Sequence, residues 1–192
     1  MDAGLAAVLG ATVGAVGTGG AGIVAALLTR SQARSQLSAE YARFIREPRK
    51  TAYTAYAEAA LRDHSLLTDA GMSLTLAEGA EGARKAEHIT QARAAYETVA
   101  TNDADLEHRY AQVAVEGPRT ITSITVKLSG ALAEFRGHVM ICLLAFEQQG
   151  SCSSDAIELL EKEREKSYDA YLDFLRTASE VLGADGIRRF HE

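Results

Sequence analysis

Tryptophan is absent, and proline occurs only twice, at Pro48 and Pro118. A chain of 192 residues with so few prolines has no Pro-rich linker and little to interrupt helices, and its core must come mostly from aliphatic side chains. Two cysteines, Cys142 and Cys152, are too few for a disulfide framework. Cys142 lies in the apolar run Val139-Met-Ile-Cys-Leu-Leu, where a buried free thiol is expected; Cys152 lies in a Ser-rich turn. A net charge of −6 argues against general nucleic-acid binding. The most informative absence is local: from Ala3 to Thr29 there is no charged side chain.

That uncharged stretch includes Leu5 to Leu28, 24 residues. As a helix it would rise ~36 Å, enough to cross a hydrocarbon core of ~30 Å. The reading is a single transmembrane anchor over residues 1–29, followed by a helical body over 30–192. Two readings compete. A cleaved secretory signal needs a basic start and a shorter apolar run, whereas this chain opens Met-Asp-Ala-Gly. A soluble, buried Gly-rich segment stays open because seven glycines (Gly4, Gly10, Gly14, Gly17, Gly19, Gly20 and Gly22) dilute the Val, Leu and Ile.

Small residues recur every fourth position at Ala6, Gly10, Gly14, Thr18, Gly22 and Ala26. That spacing puts them on one stripe of a helix, the pattern by which lipid-embedded helices pack closely. Self-association or docking on a partner helix is the expectation, against chance spacing in an Ala/Gly-rich run. Gly17-Thr-Gly-Gly-Ala-Gly22 also matches G-x-G-x-x-G, but no strand precedes it, and Glu40, at the distance of a ribose ligand, falls in a helical stretch. Nucleotide binding is set aside.

Behind the span come Arg30, Arg34, Arg43, Arg46, Arg49 and Lys50 against Glu40 and Glu47, a local excess of four positive charges. The positive-inside rule then places the body in the cytoplasm, beneath the plasma (inner) membrane. The same cations could touch anionic lipid headgroups, with a simple stop-transfer flank as the plainer alternative.

The body reads as all-α. Residues 30–46 carry an apolar side of Leu37, Tyr41, Phe44 and Ile45, and Pro48 either kinks or breaks this helix or opens a second one reaching about Asp69. Gly71, Gly79 and Gly82 predict a loop or weak helix over 70–82. Further helices are expected from Ala83 to Glu116, with Thr101 as a candidate internal N-cap; from Pro118 to Gln148; and from Ser153 or Ser154 to Leu182, stopped by Gly183. The Thr/Ile/Val-rich start at 120–128 could pass for a strand, but no partner strand exists. Helices of this length joined by short turns pack as an up-and-down antiparallel bundle of about four.

No reaction is legible. His64, His88, His108, His138 and His191 form neither H-E-x-x-H nor a Cys/His cluster. Asp105-x-x-His108 is a lone near match to a di-iron motif, and Glu134-x-x-x-His138 has the wrong spacing. Ser129, Cys142 and Ser153 lack a visible base. No catalytic residue, metal or cofactor is therefore assigned.

Arg49–Tyr56 (Arg-Lys-Thr-Ala-Tyr-Thr-Ala-Tyr), Val113–Pro118 (Val-Ala-Val-Glu-Gly-Pro) and a Phe-Leu-Arg in the last helix follow the Ala/Gly-rich start. This layout resembles a group of small, uncharacterised membrane-anchored helical-bundle proteins of actinobacteria. The resemblance implies an anchor and a helical body and carries no activity. The expectation is a non-enzymatic single-pass membrane protein whose bundle binds a protein partner or a second copy, with membrane lipid as its other partner. A membrane-active or pore-related oligomer, and a soluble all-α ligand-binding or enzymatic bundle, are the alternatives.

Overall fold

In the computed structural model, 3.6-residue apolar spacing yields four helices and, among the described residues, no strand. Backbone is described for residues 3–187 and side chains for 43–184, with Gln32, Gln36 and Glu40. The helices are α1 (Ala3–Glu78), α2 (Gly82–Glu116), α3 (Arg119–Gln149) and α4 (Ser154–Ile187). Contacts divide the described residues into two units, one ending at Ile45 and one beginning at Arg46. In the first unit Gln32, Gln36, Glu40, Arg43 and Phe44 are exposed. The stripe Ala6, Gly10, Gly14, Thr18, Gly22 and Ala26, together with Arg30 and Arg34, lies outside the described side chains.

The second unit is the bundle. Cross-helix pairs fix its directions. Arg62 with Asp105 and Arg49 with Glu116 run α1 antiparallel to α2. Arg136 with Asp103 and Arg93 with Glu147 do the same for α2 and α3. Lys166 with Glu134, and Cys142 with Ala156, pair α3 and α4. His64 with Ser167 and Tyr53 with Phe174 return α4 to α1. The parallel helices α1 and α3 also touch, through Tyr56 against Thr125 and Ser129 and His64 against Phe135. They form the central diagonal, flanked by α2 on one side and α4 on the other.

The core follows from this arrangement. Tyr56, Leu67, Leu74, Ile121, Leu128, Phe135, Val139 and Phe174 are essentially fully buried. Helix α2 contributes only Ala92, Val99 and Val113. Both cysteines are buried and free, Cys152 included.

Several local expectations are corrected. Pro48 neither ends nor starts a helix but lies inside α1, at an exposed position where the lost backbone donor is next to water. Of the two alternatives for 70–82, loop or weak helix, residues 70–78 take the helix: Ala70, Leu74 and Ala77 are buried, and a Cβ on Gly71 would sit 3.3 Å from Leu160. Gly71 thus marks a close approach of α1 to α4, and packing outweighs its cost of ~1 kcal/mol in a helix. Thr101 does not cap; its hydroxyl donates to Glu97 O at 2.9 Å inside a continuous α2. Gly183 does not stop α4, which reaches Ile187. Residues 120–128 are helix.

The turns behave as their residues dictate. Gly150 ends α3 at φ 75°, its N–H donating to Phe146 O at 3.0 Å. Ser153 Oγ accepts the Ala156 N–H at 3.2 Å and caps α4. At Gly117 the constraint is space, since an added Cβ would lie 2.2 Å from Ile121 Cγ2 and 2.8 Å from Val113 O. We expect Gly117→Ala to destabilise the fold by about 1–3 kcal/mol. Gly183→Ala, where a Cβ meets nothing within 4 Å, should stabilise it by about 0.5–1 kcal/mol. Urea unfolding followed by circular dichroism reads both.

Candidate functional site

Successive helical residues diverge by about 100°, so Asp63 and His64 on α1 leave the central diagonal in different directions. They fall between Ala60 and Leu67, both core positions, and are themselves buried, at 2% and 9% exposure. Each has gathered a polar group of its own.

On the α2 side, Asn102 Nδ2 donates to Asp63 Oδ1 at 3.3 Å, and Arg62 Nε lies 3.6 Å from the same carboxylate. Arg62 also reaches Asp105 at 3.0 Å, and Arg109 Nε forks onto both Asp105 oxygens at 3.0 Å. Arg136 pairs with Asp103 at 2.7 Å. Burial pushes the Asp63 carboxyl above its ordinary range against the pull of Asn102 and Arg62. The hydrogen bonds from Arg109 and then Arg62 hold Asp105 below its own.

On the α4 side, His64 Nδ1 is 3.0 Å from Ser167 Oγ. The Ser167 hydroxyl donates its one proton to Arg164 O at 2.9 Å, so the bonding pattern assigns the imidazole proton to Nδ1. The ring lies against Tyr168, centroids 5.6 Å apart, and Phe135, at 6.0 Å. Burial first, and the Arg164 charge second, push its pKa down. Nearby, the buried Glu163 is 3.4 Å from Lys166 Nζ, which also pairs with Glu134. Across the diagonal, Tyr56 OH is 2.7 Å from Ser129 Oγ and 3.3 Å from Thr125 O; burial takes its pKa up to about 12.

Beside this polar layer a cavity of about 460 Å³ opens between α1, α2 and α3. Its wall includes Leu67, Val99, Leu106 and Leu132 together with Asp63, Asp103, Glu107, Tyr110 and Arg136.

Asp63 and His64 face apart and make no dyad. Ser129 is engaged by Tyr56, Ser153 is a helix cap, and Cys142, with its thiol pushed up to about 12 by burial and by neighbouring Cys152, is a poor nucleophile. Asp105 is taken up by arginines rather than joining His108, and His138 Nδ1 donates to Glu134 O at 2.9 Å. Among the described residues no three His, Cys, Asp or Glu side chains are grouped to hold a metal.

The basic positions divide. Arg43, Arg46 and Lys50 are exposed. Arg49 is half-buried, and its Nε donates to Glu116 O at 2.7 Å, occupying a carbonyl left open at the end of α2. Asp63 and Asn102 carry the site without standing out in the sequence; the readable signal was an Asp-His pair at a core position three and four residues past Ala60. No protein-family model, curated protein or solved structure matches the chain.

The sign of the pH dependence follows for His64. Its folded pKa lies below the ordinary value of about 6.5, so as pH falls through 6.5 the unfolded chain binds a proton that the folded chain resists. Stability should therefore decline on going from pH 7.5 to 5.5, and less steeply in His64→Gln, whose amide can still donate to Ser167. Urea midpoints at the two pH values read it. Cys142 should resist a thiol reagent at pH 8 until denaturant is added, since burial disfavours its thiolate. Rapid labelling of the native protein at Cys142, located by mass spectrometry, would contradict this.

Proposed function

We propose that this chain is a membrane-tethered, non-enzymatic helical bundle that self-associates through the outward face of α3. The observation that carries the reading is that α3 is apolar on both sides. It is long and apolar enough to cross a membrane, with mean hydropathy 1.3 over its best stretch, yet only 39% of that stretch is buried in the bundle. Its inner stripe is the core. Its outer stripe is Val126, Gly130, Ala133, Gly137, Met140 and Leu144, all exposed. These positions alternate by four and three, the spacing of a helix–helix seam. An apolar stripe along a helix is ordinarily covered.

A second copy suits this seam. Gly130, Ala133 and Gly137 occupy its middle, where a Cβ on either glycine would meet nothing within 4 Å. Val126 lies at one end, and Met140 and Leu144 at the other, with Val126 52% exposed. Two such helices cross closely at the small residues and cover each other's large ones on either side. The tether rests on the uncharged run from Ala3 to Thr29 and the basic residues behind it. Chains entering one bilayer are held by the same end, which favours a parallel pair.

The full-length protein in detergent or nanodiscs should sediment as a dimer, and Ala133→Lys as a monomer with unchanged helicity. Ala133→Cys should form a disulfide-linked dimer under oxidation, since both native cysteines are buried. A monomeric wild-type protein would overturn the seam. Recovery of the chain in a detergent-free, salt-washed soluble fraction would overturn the tether, and dye leakage from loaded liposomes would favour a pore.

A further inference from the structure

The cavity between α1, α2 and α3 has a chemistry distinct from the seam. Its volume, about 460 Å³, falls within the usual range of small-molecule sites, and most of its wall is hydrocarbon. Four charged side chains line it: Asp63, Asp103, Glu107 and Arg136. Arg136 is committed to Asp103 at 2.7 Å. Asp63 and Glu107 therefore leave the cavity with two carboxylates beyond those its own cation can balance.

Asp63 is the unusual member. It is 98% removed from solvent, and the Asn102 amide donates to it at 3.3 Å. The nearest cation, Arg62, stands 3.6 Å away on the same helix and also serves Asp105. A carboxylate this deep costs free energy unless a partner reaches it. Tyr110 supplies an aromatic ring to the same wall, a surface that attracts ammonium groups. Hydrocarbon walls with an anionic, aromatic end match one class of molecule.

We propose that this cavity binds a small organic ammonium ion bearing an aryl or alkyl group, the ammonium meeting Asp63 and the hydrocarbon lying among Leu67, Val99, Leu106 and Leu132. Val126, Gly130 and Ala133 belong to both the cavity wall and the α3 seam, so the decisive substitutions are placed on α1 and α2, where failure of one proposal leaves the other standing.

The test is calorimetry and thermal shift on the full-length protein with three matched probes: phenethylammonium, neutral 2-phenylethanol and anionic 3-phenylpropionate. Phenethylammonium should bind and raise the melting temperature, 2-phenylethanol should bind more weakly, and phenylpropionate should not bind. Asp63→Asn should lose about ten- to hundredfold in affinity for phenethylammonium, the weight of one hydrogen bond to a charged group, and keep its affinity for 2-phenylethanol. Retained 2-phenylethanol binding shows that this variant's cavity is intact. Leu106→Trp, which fills the cavity, should lose both ligands. Equal binding of ammonium and carboxylate, full ammonium affinity in Asp63→Asn, or no binding of any probe at millimolar concentration would overturn the proposal.

Discussion

The bundle depends on the contact between its two parallel helices. Tyr56 on α1 reaches across to Ser129 and Thr125 on α3 and presses its ring on Phe174 of α4, centroids 5.1 Å apart. A buried phenol must find a hydrogen-bond partner, and here it finds two only when α1 and α3 stand at one register. That contact brings together the helices that a square four-helix arrangement would keep at opposite corners, and it sends α2 and α4 to opposite flanks. The large apolar residues around it, Phe135, Leu128 and Ile121 on α3 and Leu67 and Leu74 on α1, supply most of the driving force. The phenol supplies the register.

A second set of polar contacts makes the two flanks different. Asp63 binds Asn102 of α2, and His64 binds Ser167 of α4. Neither partner could be exchanged without leaving a buried donor or acceptor unmatched, which costs more than a made hydrogen bond contributes. Apolar packing alone would tolerate a swap of α2 with α4 or a slide by one turn. The polar layer selects against both, the role best attested for buried polar groups in helical assemblies.

Helix content, the turns at Gly117-Pro118 and Gly150–Ser153, and the core stripe of α3 were legible in the sequence because each is written locally, in spacing or in a cap. What misled was equally local. Gly71 carried the signature of a loop, yet its missing side chain makes room for Leu160, a fact held by a residue far along the chain. Thr101 resembled an internal N-cap, whereas its neighbours Asn102 and Asp103 are polar because they face Asp63 and Arg136. Pro48 was given more power to break a helix than it exerts. The candidate site stayed hidden for the same reason: Asp63 and His64 look like surface residues until the helices on both sides are in place.

The unequal attachment of the flanking helices bears on where this protein responds to other molecules. Helix α4 buries Leu160, Glu163, Ser167, Phe174 and Ala178, while α2 fully buries Ala92, Val99 and Val113; its Ile89, Tyr96, Leu106 and Tyr110 pack on the core only partly buried, and ion pairs at half-exposed positions add to them. Exposed pairs contribute little in water and less in salt. The free energy needed to move α2 outward is therefore small compared with that of unfolding the α1–α3–α4 core, and local opening should concentrate there. The cavity lies against α2, which lines it with Val99, Leu106 and Tyr110. A ligand with a hydrocarbon body would add to the apolar contact this helix makes, and by mass action would stabilise the closed arrangement in proportion to its occupancy.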